Sequence, residues 1–158
     1  TTFQLAQQKG ELWFLPNNPR ALEKIVGLLR GAKKTIRIAM FTWTHPHLAQ
    51  AVIDAHKRGV DVRVAIDRRQ GQGAGAEVVR LLKQEGIPVS LSNGDGLLHY
   101  KMAIIDEETL INGSANWTRA AFKNNDDCFV ILNPLTGAQK TFLEKLWSVI
   151  ALESSPVP

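Results

Sequence analysis

The chain of 158 residues is 44% hydrophobic and 22% charged, which is the composition of an ordinary globular protein. Its one cysteine, Cys128, excludes an intrachain disulfide and a zinc site built from several cysteines. The formal net charge of +4 suits a polyanionic partner, although many enzymes are mildly basic for other reasons.

The length favours a single domain over residues 1–158, with a frayed tail at residues 154–158. No apolar stretch reaches the roughly 20 residues that a membrane-spanning helix needs, so we expect no integral membrane segment in this chain. The sequence begins with Thr1 and shows no signal peptide, and an upstream signal or anchor that has been removed is therefore one expectation. Periplasmic, secreted and cytoplasmic locations all stay open.

Predicted strands and helices alternate along the chain. Hydrophobic periodicity and turn residues predict, in order, a strand at 11–15, a helix from Pro19 to Gly31, a strand at 35–41, a helix at 46–56, a strand at 60–66, a helix at 77–84, strands at 87–91, 102–105, 110–111 and 128–132, and a helix at 142–152. This order predicts an α/β fold with a mixed β-sheet.

The segment from His99 to Asn116 holds most of the candidate chemistry. His99 and Lys101 are two residues apart, so in extended backbone they project from one face. The apolar run 102–105 is typical of a strand buried on both faces, which is a rigid support for side chains at its end. Ser114 and Asn116 precede helix-forming sequence, where backbone N–H groups can hold a phosphate.

These residues resemble the signature of the phospholipase D superfamily. The pattern His-x-Lys, four residues, Asp, six residues, Gly-Ser-x-Asn is met without substitution at His99, Lys101, Asp106, Gly113, Ser114 and Asn116. Segments 36–42, 57–68 and 86–89 are similar to the small bacterial nucleases and their mitochondrial relatives, so the resemblance covers roughly residues 18–147. It implies a phospholipase D-like fold, with helices on both faces of the sheet, and phosphodiester hydrolysis without a metal or cofactor.

The resemblance also implies a role for each motif residue. His99 attacks phosphorus through its neutral imidazole and forms a phosphohistidine. Lys101 and Asn116 hold the non-bridging oxygens as negative charge grows on them, and Ser114 adds a hydroxyl donor. Asp106 and Gly113 have structural or orienting roles, and Asp106 is expected to act through an ion pair.

An attacking histidine also needs its second ring nitrogen oriented. The family supplies a glutamate for this from an Asn-x-Glu-Asn segment, and the matching residues 125–128 here read Asn-Asp-Asp-Cys. Asp127 stands at the glutamate position, one methylene shorter, and Cys128 replaces the asparagine. Asp127 is therefore the expected orienting acceptor, with Asp126 as the alternative.

Four residues outside the motif are candidates for substrate binding. Arg68 and Arg69 precede the glycine-rich stretch 71–76 and would contact flanking phosphates if that stretch is a mobile loop. Trp43 and Trp117 would stack on bases or contact lipid, or simply pack in the core. The glycine stretch fits G-x-G-x-x-A but lacks the acid about 20 residues later that a dinucleotide site uses, so no cofactor is expected.

Displacement at phosphorus needs a nucleophile and a separate acid, and the chain has one His-Lys-Asn set. By resemblance to single-motif members, a homodimer would bring two His99 side chains together across a two-fold axis. The sequence thus predicts a metal-independent, non-specific endonuclease that prefers single-stranded nucleic acid. Two alternatives stay open: a phospholipase acting on phosphatidyl lipids, and a nucleic-acid-binding module with a silent site.

Overall fold

A computed structural model describes residues 1–158 and contains nine strands. They are β1 (Thr2–Leu5), β2 (Gln8–Phe14), β3 (Thr35–Met40), β4 (Asp61–Ile66), β5 (Val89–Ser92), β6 (Lys101–Ile105), β7 (Thr109–Gly113), β8 (Cys128–Asn133) and β9 (Ser154–Pro156). The strands form one sheet in the order β1-β2-β8-β7-β6-β3-β4-β5-β9. β3, β4 and β5 are parallel neighbours, and every other pairing is antiparallel, so the sheet is mixed as predicted.

Six helices complete the fold: α1 (Arg20–Arg30), α2 (Pro46–Lys57), α3 (Arg68–Gln72), α4 (Ala76–Gln84), α5 (Arg119–Lys123) and α6 (Gly137–Leu152). The apolar faces of α1, α2 and α4 pack on one face of the sheet in a cluster of 34 buried residues. On the opposite face, Leu143 and Ile150 of α6 pack on β3, β4 and β6. Helices on both faces confirm the predicted α/β fold. None of the six helices is long and apolar enough to cross a membrane.

Strand side chains alternate between these two layers, and the alternation decides where Lys101 points. In β3, Ile38 and Met40 join the larger cluster, whereas Ala39 faces α6. Met40 pairs directly with Lys101 of β6, and directly paired residues project from the same face. Lys101 therefore lies on the α1–α2 side. All five residues of β6 are buried, which confirms a strand covered on both faces.

The structure corrects two expectations that rested on local composition. The predicted frayed tail is wrong for Ser154–Pro156, because these residues form β9 and pair with β5. The glycine-rich stretch is not one continuous loop, because α3 runs through Gly71 to Gln72 and a turn at 73–75 leads directly into α4. Gly71 is buried, and a Cβ there would lie 2.5 Å from the side chain of Leu91. Both corrections come from packing against β5, which lies far away in sequence.

The last helix begins earlier than expected. The hydroxyl of Thr136 accepts from the N–H of Gln139 and caps α6, and Oε1 of Gln139 accepts from the N–H of Thr136. This capping box satisfies two N–H groups that a helix start otherwise leaves open, so α6 begins at Gly137 rather than at Phe142. The added turn extends the helix across the sheet towards β7 and β8.

Candidate active site

The two halves of the motif meet at one end of the sheet. β6 runs antiparallel to both β3 and β7, so the start of β6 lies beside the ends of β3 and β7. The N–H of Phe41 donates to the carbonyl of Tyr100 at 2.9 Å, and the N–H of Trp117 donates to the carbonyl of Thr42 at 3.1 Å. The segment that follows β3 thus holds both halves of the motif in place.

His99 and Lys101 are in direct contact, although His99 precedes β6 rather than lying within it. Lys101 Nζ lies 2.9 Å from His99 Nδ1 and 3.0 Å from Nε2. The His99 ring is exposed and packs on Phe41, with ring centroids 4.5 Å apart. Lys101 is 9% exposed, and this burial holds the pKa of its ammonium below the usual value despite the attraction of Asp127. A reachable imidazole therefore lies beside a largely buried positive charge.

Gly113 and Ser114 pack closely against the backbone at the start of β8. Ser114 Oγ donates to Asp127 Oδ1 at 2.7 Å and accepts from the N–H of Cys128 at 3.0 Å. A Cβ at position 113 would collide with the carbonyl of Cys128, so this approach requires glycine. Asp126 is exposed, whereas Asp127 is partly buried. Asp127 uses its carboxylate on Ser114 rather than on His99, and the orientation of His99 by Asp127 stays a prediction.

Asn116 is fixed by the backbone of Thr42, whose N–H donates to Asn116 Oδ1 at 3.1 Å. Because Oδ1 is occupied, Nδ2 is the group of this amide that can donate to a ligand oxygen. Phe41, which packs on His99, directly precedes Thr42, so one short segment contacts both residues. The structure therefore brings His99, Lys101 and Asn116 to the same end of the sheet.

Asp106 lies at the other end of β6, away from this site. Its carboxylate accepts hydrogen bonds of 2.6–3.1 Å from the N–H groups of Lys33, Lys34 and Thr35. The role is structural, but the expected ion pair is wrong because the partners are backbone amides. Asp106 and Glu107 have positive φ values of 55° and 58° in the turn that joins β6 to β7, where the N–H of Glu108 donates to the carbonyl of Ile105 at 3.0 Å.

Asp106→Ala is expected to lower the free energy of unfolding by about 1–3 kcal/mol, because three amides lose their acceptor. Burial opposes ionisation of Asp106, but the amide hydrogen bonds outweigh it and hold its pKa below the ordinary value. The stabilisation is therefore present above the unfolded-state pKa and is lost as the pH falls through the folded-state pKa. Urea unfolding should show a gap between variant and wild type that closes in acid. The exposed Asp126→Ala control should match wild type, and equal stability of Asp106→Ala at neutral pH would contradict this role.

The two tryptophans belong to the core. Trp43 and Trp117 are buried, and their rings meet edge to face with centroids 4.8 Å apart. Of the two expectations for these residues, core packing is correct, and stacking on a substrate is wrong because neither ring is accessible. Their packing and backbone bridge instead hold the motif against the end of β3.

Arg68 and Arg69 differ in whether the guanidinium is available to bind a ligand. Arg68 donates to the carbonyls of Leu91 and Ser92 and to the side chain of Asn93, so its guanidinium is bound to the end of β5 and to the residue that follows it. The prediction that Arg68 binds substrate is not supported by these contacts. Arg69 is exposed and has no such bonds, so it stays a candidate for contact with a polyanion.

An apolar groove opens beside the motif on the α6 side of the sheet. It has a volume of about 540 Å³, and nine of its eleven lining residues are hydrophobic. Tyr100, which lies between His99 and Lys101 in the sequence, is part of its wall, together with Met102, Phe142 and Leu146. Phe142 is 66% exposed. The site is thus bordered by apolar surface on one side, a feature that the motif alone did not reveal.

Sequence reasoning missed three polar residues that support the site. Asp67 is buried and accepts from the N–H groups of Leu98 and Gln70. Gln70 Oε1 in turn accepts from the hydroxyl of Thr42 at 3.0 Å. Asp67 directly follows the apolar strand β4, and sites in α/β sheets form at the carboxyl ends of parallel strands. The position of Asp67 directly after an apolar strand is the sequence feature that could have identified it as a site residue.

The side chains offer no evident metal site. No group of three or more His, Cys, Asp or Glu residues is arranged to hold a metal ion. His45 caps α2, with Nδ1 accepting from the N–H of His47 at 3.3 Å. Burial, helped by the nearby positive charge of Arg119, lowers the pKa of His45 to about 4. This imidazole is therefore neutral at physiological pH and occupied in a helix cap.

Comparison with known proteins places the chain in a family. The profile of a family described as the PLD-like domain of cardiolipin synthase matches residues 25–147, which include the whole motif. The chain belongs to the phospholipase D superfamily. The mitochondrial cardiolipin hydrolase of Chlamydomonas reinhardtii is 34% identical over 136 residues, covering 84% of this chain and 60% of that protein. The human protein of that name is 36% identical over 117 residues, covering 74% of this chain and 46% of its own. The chain thus spans less than two thirds of the length of these relatives.

Solved structures share the fold over almost the full chain. Nuc from Salmonella typhimurium, a phospholipase D family member, has a TM-score of 0.88 at 27% identity, covering 96% of this chain and 99% of that one. NucT from Helicobacter pylori has a TM-score of 0.85 at 23% identity, covering 96% of this chain and all of that one (100%). These similarities confirm the phospholipase D-like fold.

Proposed function

We propose that this protein is a metal-independent phosphodiesterase that cleaves nucleic acid through a phosphohistidine at His99. The contact between His99 and Lys101 carries the proposal, since Nζ lies 2.9 and 3.0 Å from the ring nitrogens. A nucleophile needs access from solvent and a positive charge close to phosphorus. The exposed imidazole and the buried ammonium supply both, and Nδ2 of Asn116 adds a donor.

In the first step, an unprotonated ring nitrogen of His99 attacks phosphorus, and a P–N bond forms as the P–O bond to the leaving group breaks. Lys101 and Asn116 stabilise the charge that grows on the non-bridging oxygens. The departing oxygen takes a proton from an acid. In the second step, water attacks phosphorus, gives a proton to the base that this acid has become, and releases His99 and a phosphomonoester.

The acid is His99 of a second copy of the chain in this proposal. The other histidines do not substitute for it, since His45 is occupied in the α2 cap and none has a neighbouring Lys-Asn pair. A two-fold axis near the exposed His99 would let one copy supply the nucleophile and its partner the acid, which acts as the base in the second step. The dimer would carry a charge of +8 (twice +4), which favours a polyanionic substrate.

Mixing experiments should show that two intact copies are needed. Wild type refolded with an excess of His99→Ala would form heterodimers with one histidine and no opposing acid or nucleophile. The expected activity falls towards the square of the wild-type fraction, because only wild-type homodimers are complete. A linear fall with wild-type fraction, or full activity from a species that light scattering shows to be a monomer, would contradict the shared site.

Nucleic acid is the first choice of substrate for three reasons. The chain is basic, with pI near 9.4, and Arg69 is exposed in α3, which follows β4 at the same end of the sheet as the site. The sequence resembles small bacterial nucleases, and the similarity to Nuc covers nearly all of both chains. A single strand would enter a cleft between two copies more easily than a rigid duplex, so we expect single-stranded substrates to be preferred.

A phosphatidyl lipid is the second candidate, and the apolar groove favours it. An acyl chain could lie along Tyr100, Met102 and Phe142, and Tyr100 is the residue between His99 and Lys101. The curated relatives named mitochondrial cardiolipin hydrolase point to the same class of substrate. The two candidate substrates would be bound by different surfaces. Nucleic acid would be bound by positive charge, whereas a lipid would be bound by the apolar groove.

A substrate panel separates these candidates. Wild type is incubated with single- and double-stranded DNA, with RNA, and with vesicles of phosphatidylcholine and of cardiolipin, each with and without EDTA. We expect the fastest cleavage on single-stranded DNA or RNA and full activity in excess EDTA, because Lys101 and Asn116 supply the charge stabilisation. Selective loss of lipid hydrolysis in Phe142→Asp would favour the phospholipase. Binding of nucleic acid without turnover of any substrate would favour the silent module.

A further inference from the structure

His99 lies in a segment that has little support of its own. Residues 94–99 belong to no strand or helix, and all except Leu98 are exposed. The backbone of these residues makes one hydrogen bond within the chain, from the N–H of Leu98 to Oδ1 of Asp67 at 3.0 Å. Leu98 is the residue directly before His99. On its N-terminal side the proposed nucleophile is therefore held by this one backbone hydrogen bond and by the buried side chain of Leu98.

Asp67 is suited to be a fixed anchor. It is 2% exposed, and it takes part in none of the ion pairs of the chain. Its second oxygen accepts from the N–H of Gln70 at 3.1 Å, and its own N–H donates to the carbonyl of Met40 at 3.3 Å. A buried carboxylate is tolerated only when hydrogen bonds replace the lost water, so both oxygens hold this geometry firmly.

The same bonds continue to Asn116. Gln70 Oε1 accepts from the hydroxyl of Thr42 at 3.0 Å, and the N–H of Thr42 donates to Asn116 Oδ1 at 3.1 Å. A continuous path thus runs from the residue before His99, through Asp67, Gln70 and Thr42, to Asn116. It joins the end of β4 to the end of β3, and so links two halves of the site that are separated in sequence.

We propose that Asp67, Gln70 and Thr42 are positioning residues, which set the separation between His99 and the amide of Asn116. In this proposal none of the three touches the substrate. The inference rests on the proposed function, since it assigns these residues to the same phosphoryl transfer. Displacement of a nucleophile by about 1 Å can lower a rate by as much as 10²-fold. Loss of a hydrogen-bonded path that positions His99 should therefore lower the rate measurably.

The test combines kinetics with hydrogen exchange. Asp67→Asn keeps the shape of the side chain and one acceptor oxygen, but its NH₂ group replaces the second oxygen and faces a backbone N–H. Thr42→Val keeps the shape of the side chain and removes the hydroxyl that donates to Gln70. Each should lower kcat on a single-stranded oligonucleotide by about tenfold or more with KM nearly unchanged, and Thr42→Val should also leave the melting temperature nearly unchanged. The controls Asp95→Asn and Gln50→Ala, which are exposed and outside the path, should match wild type. Normal kcat in both test variants would overturn the proposal.

Two further measurements separate positioning from general stability. In an Asn116→Ala background, Thr42→Val should cause no further loss, because its effect passes through Asn116. The amide of Leu98 should exchange about tenfold faster in Asp67→Asn, as expected for loss of its hydrogen-bond acceptor. Additive losses, or unchanged exchange, would overturn the proposal even if Asp67→Asn were less stable. Wild type that cleaves nothing would refute the proposed function, while the exchange measurement would still decide whether Asp67 anchors the segment.

Discussion

Replacing His99 with alanine is expected to lower hydrolysis by about 10⁴-fold or more, the scale on which loss of a covalent nucleophile acts. The ring is exposed, so its removal leaves no cavity in the core. Folding and substrate binding should therefore be retained, because Lys101 and Asn116 still offer their charge and amide to the phosphate. Initial rates on a single-stranded oligonucleotide, a melting curve and a binding assay measure the three quantities separately.

The control for this variant is His47→Ala. His47 is also an exposed histidine, but its contribution to the α2 start is its backbone N–H. Its replacement should leave the rate near that of wild type. Rapid quenching of wild type with labelled substrate should also trap an acid-labile, alkali-stable phosphoenzyme that His99→Ala does not form. A loss of only a few fold, or an unchanged phosphoenzyme in the variant, would remove His99 from the role of nucleophile.

Lys101→Met should lower kcat by about 10²-fold or more, because the largest share of stabilisation of a developing oxyanion comes from a fixed charge. Methionine fills a similar volume, so the buried stem is replaced without a cavity. The expected signature is a fall in kcat with a smaller change in KM. Asn116→Ala should act in the same direction and on the same scale. Near-normal kcat for Lys101→Met would exclude the ammonium from the transition state.

The pH dependence of the wild-type rate offers an independent check. Burial lowers the pKa of Lys101, and the negative charge of Asp127 partly reverses that effect. Activity should be lost as the pH rises through the lowered pKa, since the neutral amine no longer stabilises the oxyanion. Asp127→Asn removes the opposing charge, so this alkaline limb should move to lower pH, whereas the exposed Asp126→Asn should leave it in place. An alkaline limb that is unmoved in Asp127→Asn would contradict the assignment.

Much of the fold followed from local pattern. Alternating and continuous apolar runs predicted β3, β4, β6 and β8 to within a residue or two, because one or both faces of each strand are buried. The spacing within the motif identified His99, Lys101 and Asn116, because two-residue offsets and a buried strand place side chains in a fixed relation. Sequence by itself therefore determined the fold class, the family and the candidate nucleophile.

Only the tertiary structure decided how those residues are supported. Asp106 contacts amides 71–73 residues earlier in the chain, and Asp67 holds a backbone group 31 residues later. The pairing of β9 with β5 and the burial of Trp43 against Trp117 also join distant segments. Local periodicity reports which face of an element is apolar, but it does not report which distant donor meets which acceptor. Those pairings depend on strand order and register, which are fixed when the whole sheet assembles.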